Sequence, residues 1–173
     1  VFSYEGDENT QYWIIQFRGP VTKERQDMLT SMGLTLLDYF PDNAFVVKLN
    51  NFDSDDLNSI PGVYNSSPFY SGLKVHPEIL DSISEGEDPF AEYISITIET
   101  FTDEPISNEL SRYNFERTSL TRYVVNLPVD LDQVMKIEGV KWIEPRSIME
   151  FKNNIADGII DVDWVWNNMG LDG

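Results

Sequence analysis

At 173 residues the chain can form one mid-sized domain or two small ones, and its 41% hydrophobic and 13% aromatic content argues against a disordered polymer. The 30 acidic residues outnumber the 12 basic ones, and the resulting charge of −18 repels phosphates, which argues against nucleic acid or an anionic membrane as partner. With no cysteine there is no disulfide framework, thiolate metal site or cysteine nucleophile, and no apolar run approaches the roughly 18 residues of a membrane span.

Residues 1–10 carry Glu5, Asp7 and Glu8, no base and little periodicity, and read as a flexible lead-in. The apolar, β-branched and aromatic run 12–17 predicts a buried strand that Gly19-Pro20 stops. A helix over 22–32 follows from Thr22 as N-cap, Glu24 in the first turn, the stripe Met28, Leu29 and Met32, and Gly33 as terminator. Strands are expected at 34–40 and 44–49 around the turn Pro41-Asp42-Asn43. A short acidic helix at 53–60, broken by Pro61-Gly62, leads to a fourth strand at 63–69. The order is β-α-β-β-α-β.

The second half repeats it, with strand 93–99, helix 103–112, strands 115–120 and 123–127, helix 130–137 and strand 140–144. Ile60-Pro61-Gly62-Val63 recurs as Ile137-Glu138-Gly139-Val140, and each valine is followed by a proline at the same distance, Pro68 and Pro145. Val46-Val47-Lys48-Leu49 is echoed by Val124-Val125-Asn126-Leu127, and Tyr12-Trp13-Ile14-Ile15 by Tyr93-Ile94-Ser95-Ile96. A repeat of this length suits a small domain rather than a solenoid unit. The expected fold class is therefore α+β, with two tandem ferredoxin-like modules, each an antiparallel four-stranded sheet with its helices on one face. Module 1 is placed at 11–75 and module 2 at 92–152. Between them 76–91, acidic and holding Pro77 and Pro89, reads as a linker rather than a third element. Helices on one face leave the other face of each sheet to a second copy, a partner or solvent.

The run Tyr12 to Pro20, with Phe17-Arg18-Gly19-Pro20, then Leu36-Leu37-Asp38-Tyr39-Phe40-Pro41-Asp42-Asn43-Ala44, resembles the N-terminal prosequence of large secreted subtilisin-like serine proteases of bacteria and archaea. Ser67-Pro68-Phe69-Tyr70, Lys74-Val75 and Pro77-Glu78 look like its continuation. Gly139-Val140-Lys141-Trp142-Ile143-Glu144-Pro145 is similar to the closing strand of such propeptides. Residues 153–173, with Asn154-Ile155-Ala156-Asp157-Gly158 and Gly170-Leu171-Asp172-Gly173, resemble the start of the mature protease.

The resemblance implies a secreted or cell-surface propeptide that acts as intramolecular chaperone and inhibitor of a protease domain in the same polypeptide. The fragment itself is expected to be no enzyme, with the catalytic aspartate, histidine and serine expected beyond Gly173, and to use no cofactor. Ile148, Met149, Glu150, Phe151, Lys152 and Asn153 would form the inhibitory tail and processing site, with cleavage near Lys152-Asn153. Trp142 and Glu144 are candidates for the protease interface, and self-association through the tail is a further expectation.

The residues alone leave blander readings beside these. His76, the sole histidine, lies in a Val-His-Pro-Glu turn and reads as a loop histidine rather than a triad member. Asp53-Ser54-Asp55-Asp56 lacks the glycine and closing glutamate of a calcium loop and reads as a solvated helix start, so no metal is expected there. Asp157, Asp161 and Asp163 are ambiguous, and Asn65-Ser66-Ser67 matches a glycosylation sequon that also arises by chance. In an alternating strand Val140, Trp142 and Glu144 would share one face, and Lys141 and Ile143 the other. Two other functions remain open, a tandem ACT-like module that binds a small molecule between its copies, and a structural module of a surface protein.

Overall fold

The computed structural model describes residues 10–146. Strands β1 (Tyr12–Phe17), β2 (Leu34–Phe40), β3 (Ala44–Leu49) and β4 (Val63–Pro68) form one antiparallel sheet in the order β2-β3-β1-β4. Helix α1 (Lys23–Ser31) starts where the Thr22 side chain accepts the Arg25 N–H, and the chain leaves it through Gly33 at φ +90°. The β2–β3 hairpin turns on Asp42 and Asn43, both at φ 61°, a left-handed pair that short side chains with amide or carboxylate groups tolerate. Alternation along β1 buries Ile15 and Phe17 against Leu29 of α1 and against Leu34, Val47 and Leu57. Tyr12 and Ile14 point to the opposite face, with Val46 and Phe69.

The second sheet contains β5 (Ser95–Thr100), β6 (Phe115–Arg117), β7 (Arg122–Asn126) and β8 (Val140–Arg146), again antiparallel, in the order β6-β7-β5-β8. The order of the first sheet thus recurs strand for strand. Pairing aligns Tyr12, opposite Lys48, with Ser95, opposite Asn126. The sequence echo Tyr12 to Tyr93 is therefore two residues out of register with the structural repeat.

Three expected elements are revised. Residues 76–91 are not a bare linker, because Pro77–Glu85 forms helix α2. His76 accepts the Glu78 N–H at its start, Pro77 occupies the first turn, and Gly86 closes it at φ +78°. Ile79 is buried in the core of the second sheet with Ile96, Ile98 and Ile143, while Leu80 and Ile83 pack alongside. The short acidic helix expected at 53–60 is a six-residue 3-10 helix, Ser54–Ser59, capped by Asp53. The helix expected over 103–112 is a series of turns that bury Ile106 and Leu110. Pro105 contributes no N–H, and Asp103, Ser107 and Asn108 compete locally for the backbone, so a helix has little support there. Helix α2 lies against the same core as Ile106 and Leu110. The remaining helix, α3, is short, Leu131–Met135, and begins where Asp130 accepts the Gln133 N–H.

The last strand does not alternate as expected. Val140 lies opposite Thr100 and Trp142 opposite Glu99, so Lys141 is an extra residue in a bulge. Val140 and Ile143 are consequently both buried, while Lys141 and Trp142 both turn to the open side. The first sheet has the same device, since Phe17 faces Val63 and Gln16 faces Asn65, leaving Tyr64 extra.

The two sheets touch through the side of the first that α1 leaves bare. Phe101, just beyond β5, stacks on Tyr12 with centroids 5.1 Å apart and meets Phe69 edge-on at 5.1 Å. Around this aromatic contact Lys48 pairs with Glu104 at 2.8 Å, the Gln11 N–H donates to Glu138 at 2.9 Å, and Lys141 pairs with Asp38 at 2.8 Å. Gly139 sits at φ +82°, and a Cβ added there would lie 3.2 Å from the Tyr12 hydroxyl. Gly139→Ala should therefore lower stability by about 1–2 kcal/mol, the cost of a left-handed alanine plus a tight contact. Gly86→Ala has the same backbone penalty but open space around it, so comparing their urea midpoints isolates the contact.

Candidate functional site

Two surfaces merit description, the open face of the second sheet and the cleft between the sheets. On β5 the core takes Ile96 and Ile98, so Thr97 and Glu99 emerge on the opposite side. Thr97 is flanked by Val124 on β7 and Glu144 on β8. These three, with Arg122, Pro145 and Arg146, line a shallow depression of about 400 Å³. Glu144 thus lies near the C-terminal end of an edge strand, on a face that α2 and α3 do not cover.

Trp142 lies on the same strand two residues before Glu144. It is half-buried, with its ring edge-on to His76 at 5.9 Å, and it forms a wall of the inter-sheet cleft. His76 is fixed in place as well, for its backbone N–H donates to Ile143 at 2.9 Å and Val75 bridges Ile143 in parallel. The two candidate interface residues therefore share the open face of the second sheet, Trp142 lining the inter-sheet cleft and Glu144 the depression beside Thr97. Ile148, Met149, Glu150, Phe151, Lys152 and Asn153 lie outside the described residues, as do Asp157, Asp161 and Asp163.

The cleft, about 660 Å³ in volume, was not foreseen from the sequence. Phe40, Val46, Phe69, Phe101 and Trp142 supply apolar walls from both sheets. At its edge Lys141 bridges the sheets, 2.8 Å from Asp38 and 3.2 Å from Glu99, and Arg122 reaches Glu99 from outside at 3.2 Å. Burial works against the charge on Lys141, but hydrogen bonds to Asp38 and Glu99 outweigh it and raise its pKa above the ordinary lysine value. Burial likewise pushes the Glu99 carboxyl up, yet the hydrogen bonds from Lys141 and Arg122 prevail and leave it below the usual carboxylate range.

A lowered carboxylate pKa stabilises the fold above the unfolded value of 4.5, and that stability is lost as pH falls through the folded pKa. Glu99→Gln should therefore flatten the acid limb of a stability–pH profile below about pH 4.5, by roughly 0.5–1 kcal/mol for partly exposed pairs. Urea midpoints measured from neutral pH downward read this directly, and an unchanged acid limb would show that Glu99 is not differentially stabilised.

Residues 3–70 match a family described as a domain of unknown function, DUF8729. The match takes in the whole first sheet, whose last strand ends at Pro68, and stops before α2 and the second sheet. No curated protein and no solved structure matches the chain. Among the described residues there is no group of three or more His, Asp or Glu placed to hold a metal ion, and no helix long and apolar enough to cross a membrane.

Proposed function

We propose that the chain is a tandem prosegment of a subtilisin-like serine protease, a secreted or cell-surface enzyme whose protease domain belongs to the same polypeptide. In this reading the two halves are ferredoxin-like modules, with 3-10 turns or irregular segments replacing some of the helices. The observation that carries it is the position of β8. It is an edge strand that ends at Arg146, immediately before the segment that resembles a prosegment–protease junction. Among the described residues, an isolated bridge from Val75 meets its outer edge at Ile143.

The chemistry needs no catalytic group on this chain. The many non-local contacts of a parallel α/β protease make its folding slow, and a prosegment that binds the folded form and not the unfolded one favours folding by mass action. The open face around Thr97, Val124 and Glu144 would lie against the protease, where the Glu144 carboxylate suits the positive end of a helix. Residues 147–152 would then continue from β8 into the substrate cleft as an added strand held by main-chain hydrogen bonds. After cleavage near Lys152-Asn153 they would remain as a product-like inhibitor.

The purified chain should inhibit a subtilisin-like protease while hydrolysing no peptide itself. Truncation after Pro145 should raise the inhibition constant at least about ten-fold, equivalent to losing one or two main-chain hydrogen bonds' worth of affinity. Progress curves with a chromogenic peptide substrate measure both. Inhibition that survives truncation unchanged would remove the tail from the cleft, and no inhibition at all would remove the prosegment reading.

A further inference from the structure

The prosegment reading makes no use of the Asn65-Ser66-Ser67 sequon. We infer that Asn65 carries an N-linked glycan, received from a lipid-linked sugar as the chain is secreted, and that this glycan guards the exposed edge of the first sheet. The inference rests on the secreted or cell-surface location proposed above. A sequon can be occupied only where its asparagine meets solvent. Asn65 is exposed on β4, the last strand of its sheet. It lies opposite Gln16, and Ser67 opposite Ile14, so the carboxamide and the required hydroxyl share the face away from α1. Ser66 between them turns its hydroxyl the other way, to Asn58 at 3.1 Å. Gln16 is four positions along β1 from Tyr12, roughly 13 Å, so the attachment point is clear of the contact with the second sheet.

Its place on that edge gives the glycan something to do. The Phe69 N–H donates to the Tyr12 oxygen at 2.8 Å, so by alternation Ser67 and Asn65 also turn their main chain to β1. Ser66 then turns its N–H and C=O outward, and among the described residues no strand lies beyond it. Such an edge is a template for pairing with another chain, and proteins blunt it with charge, proline or bulges. Of the four edge strands, β2 carries Asp38, β6 carries Glu116 and Arg117, and β8 carries Lys141, Glu144 and Arg146. Strand β4 carries no charge. Pro68 and the bulge at Tyr64 blunt its two ends and leave 65–67 bare. The total charge of −18 keeps copies apart only where salt does not screen it. A bulky, solvated glycan on Asn65 covers the bare centre at any salt concentration.

In the transfer, the Asn65 Nδ2 attacks the anomeric carbon of a sugar held on a polyprenyl phosphate. The new C–N bond replaces the bond from that carbon to the phosphate oxygen, the lipid phosphate leaves with the electron pair, and one Nδ2 proton passes to a base on the membrane transferase. The test expresses the full chain behind a secretion signal in a eukaryotic secretory host that has such a transferase. Intact mass and peptide mapping should place a glycan on Asn65, and amidase release should convert that residue to aspartate. Asn65→Gln and Ser67→Ala should both lose the added mass, whereas Ser67→Thr, which keeps the hydroxyl, should retain it. A parent chain of unmodified mass, or amidase-sensitive mass that survives Asn65→Gln, would overturn the assignment. Light scattering at about 1 M salt, where the screening length falls to about 3 Å, reads the guarding role. Asn65→Gln should associate there, while the glycosylated parent and Asn65→Lys, which puts a charge on the edge, stay monomeric. If Asn65→Gln stays as monomeric as the parent, the glycan does not guard β4. Protease inhibition by the unglycosylated chain is measured separately. Inhibition with Asn65 unmodified removes this inference alone, and glycosylation without inhibition removes the prosegment reading alone.

Discussion

Ile79→Ala should destabilise the chain by about 3 kcal/mol, within the range for truncating a buried isoleucine. Ile79 belongs to an acidic segment that looks like a tether, yet it is 1% exposed and packs among Ile96, Ile98 and Ile143 beneath the second sheet. The loss combines the transfer free energy of the removed carbons with the cavity left among rigid strand side chains. Glu85→Ala, on the exposed last turn of the same helix, should fall within about 0.5 kcal/mol of the parent. Urea denaturation followed by tryptophan fluorescence separates the two outcomes. If Ile79→Ala were as mild as Glu85→Ala, α2 would be peripheral and the second core would have to close without it.

This helix also shows where local sequence signals were sufficient and where they were overridden. Its cues are present in the sequence, namely Pro77 in the first turn, Ile79, Leu80 and Ile83 at helical spacing, and Gly86 as terminator. A high density of acids does not distinguish a linker from this helix, because acids occupy the outward positions of a helix as readily as those of a linker. The opposite error occurred at 103–112, where Ile106 and Leu110 have helical spacing but the intervening residues favour turns. Burial there is real, and only its backbone form differs from the expected helix. The strands were legible because β-branched alternation and Gly or Pro stops are strictly local, and the repeat was legible because both halves keep the Gly-Val start of the closing strand.

What could not be read locally is whatever depends on one residue's register or on distant segments meeting. The Lys141 bulge shifts a strand by one position, and periodicity assigns that position to the wrong face. It also decides the site, since an unbulged strand would turn Lys141 into the core and leave Asp38 without its partner. The cleft draws on β2, β3, the end of β4, the approach to α2, β5 and β8. No motif spans such a set. Trp142 could be identified as an interesting aromatic, but the surface it addresses depends on how the two sheets meet.

Lys74 should prove the most consequential charged residue, because it is 7% exposed and its ammonium is held by carbonyl groups rather than by a carboxylate. Nζ donates to the Met135 oxygen at 3.0 Å and to the Ile137 oxygen at 3.5 Å, at the end of α3, so it fastens the approach to α2 onto the second core. Burial lowers its pKa below the ordinary 10.5, with Glu138 offsetting part of the effect. Lys74→Ala removes the donor, strands the carbonyl groups and leaves a cavity where the aliphatic stem lay, and should cost about 3 kcal/mol. Lys74→Met keeps the stem and removes the buried charge, so its cost at neutral pH should be well under half as large. The two variants differ further with pH. A lysine whose folded pKa lies below its unfolded value penalises the fold fully at low pH, and the penalty is relieved as pH rises between the two values. The parent should therefore gain stability relative to Lys74→Met as pH approaches 10.5, a difference in which shared titrations such as that of Tyr12, whose pKa is raised by burial, cancel. Parallel stability–pH curves for the parent and Lys74→Met would show that the ammonium is as well solvated folded as unfolded, and that its carbonyl contacts do not bury it.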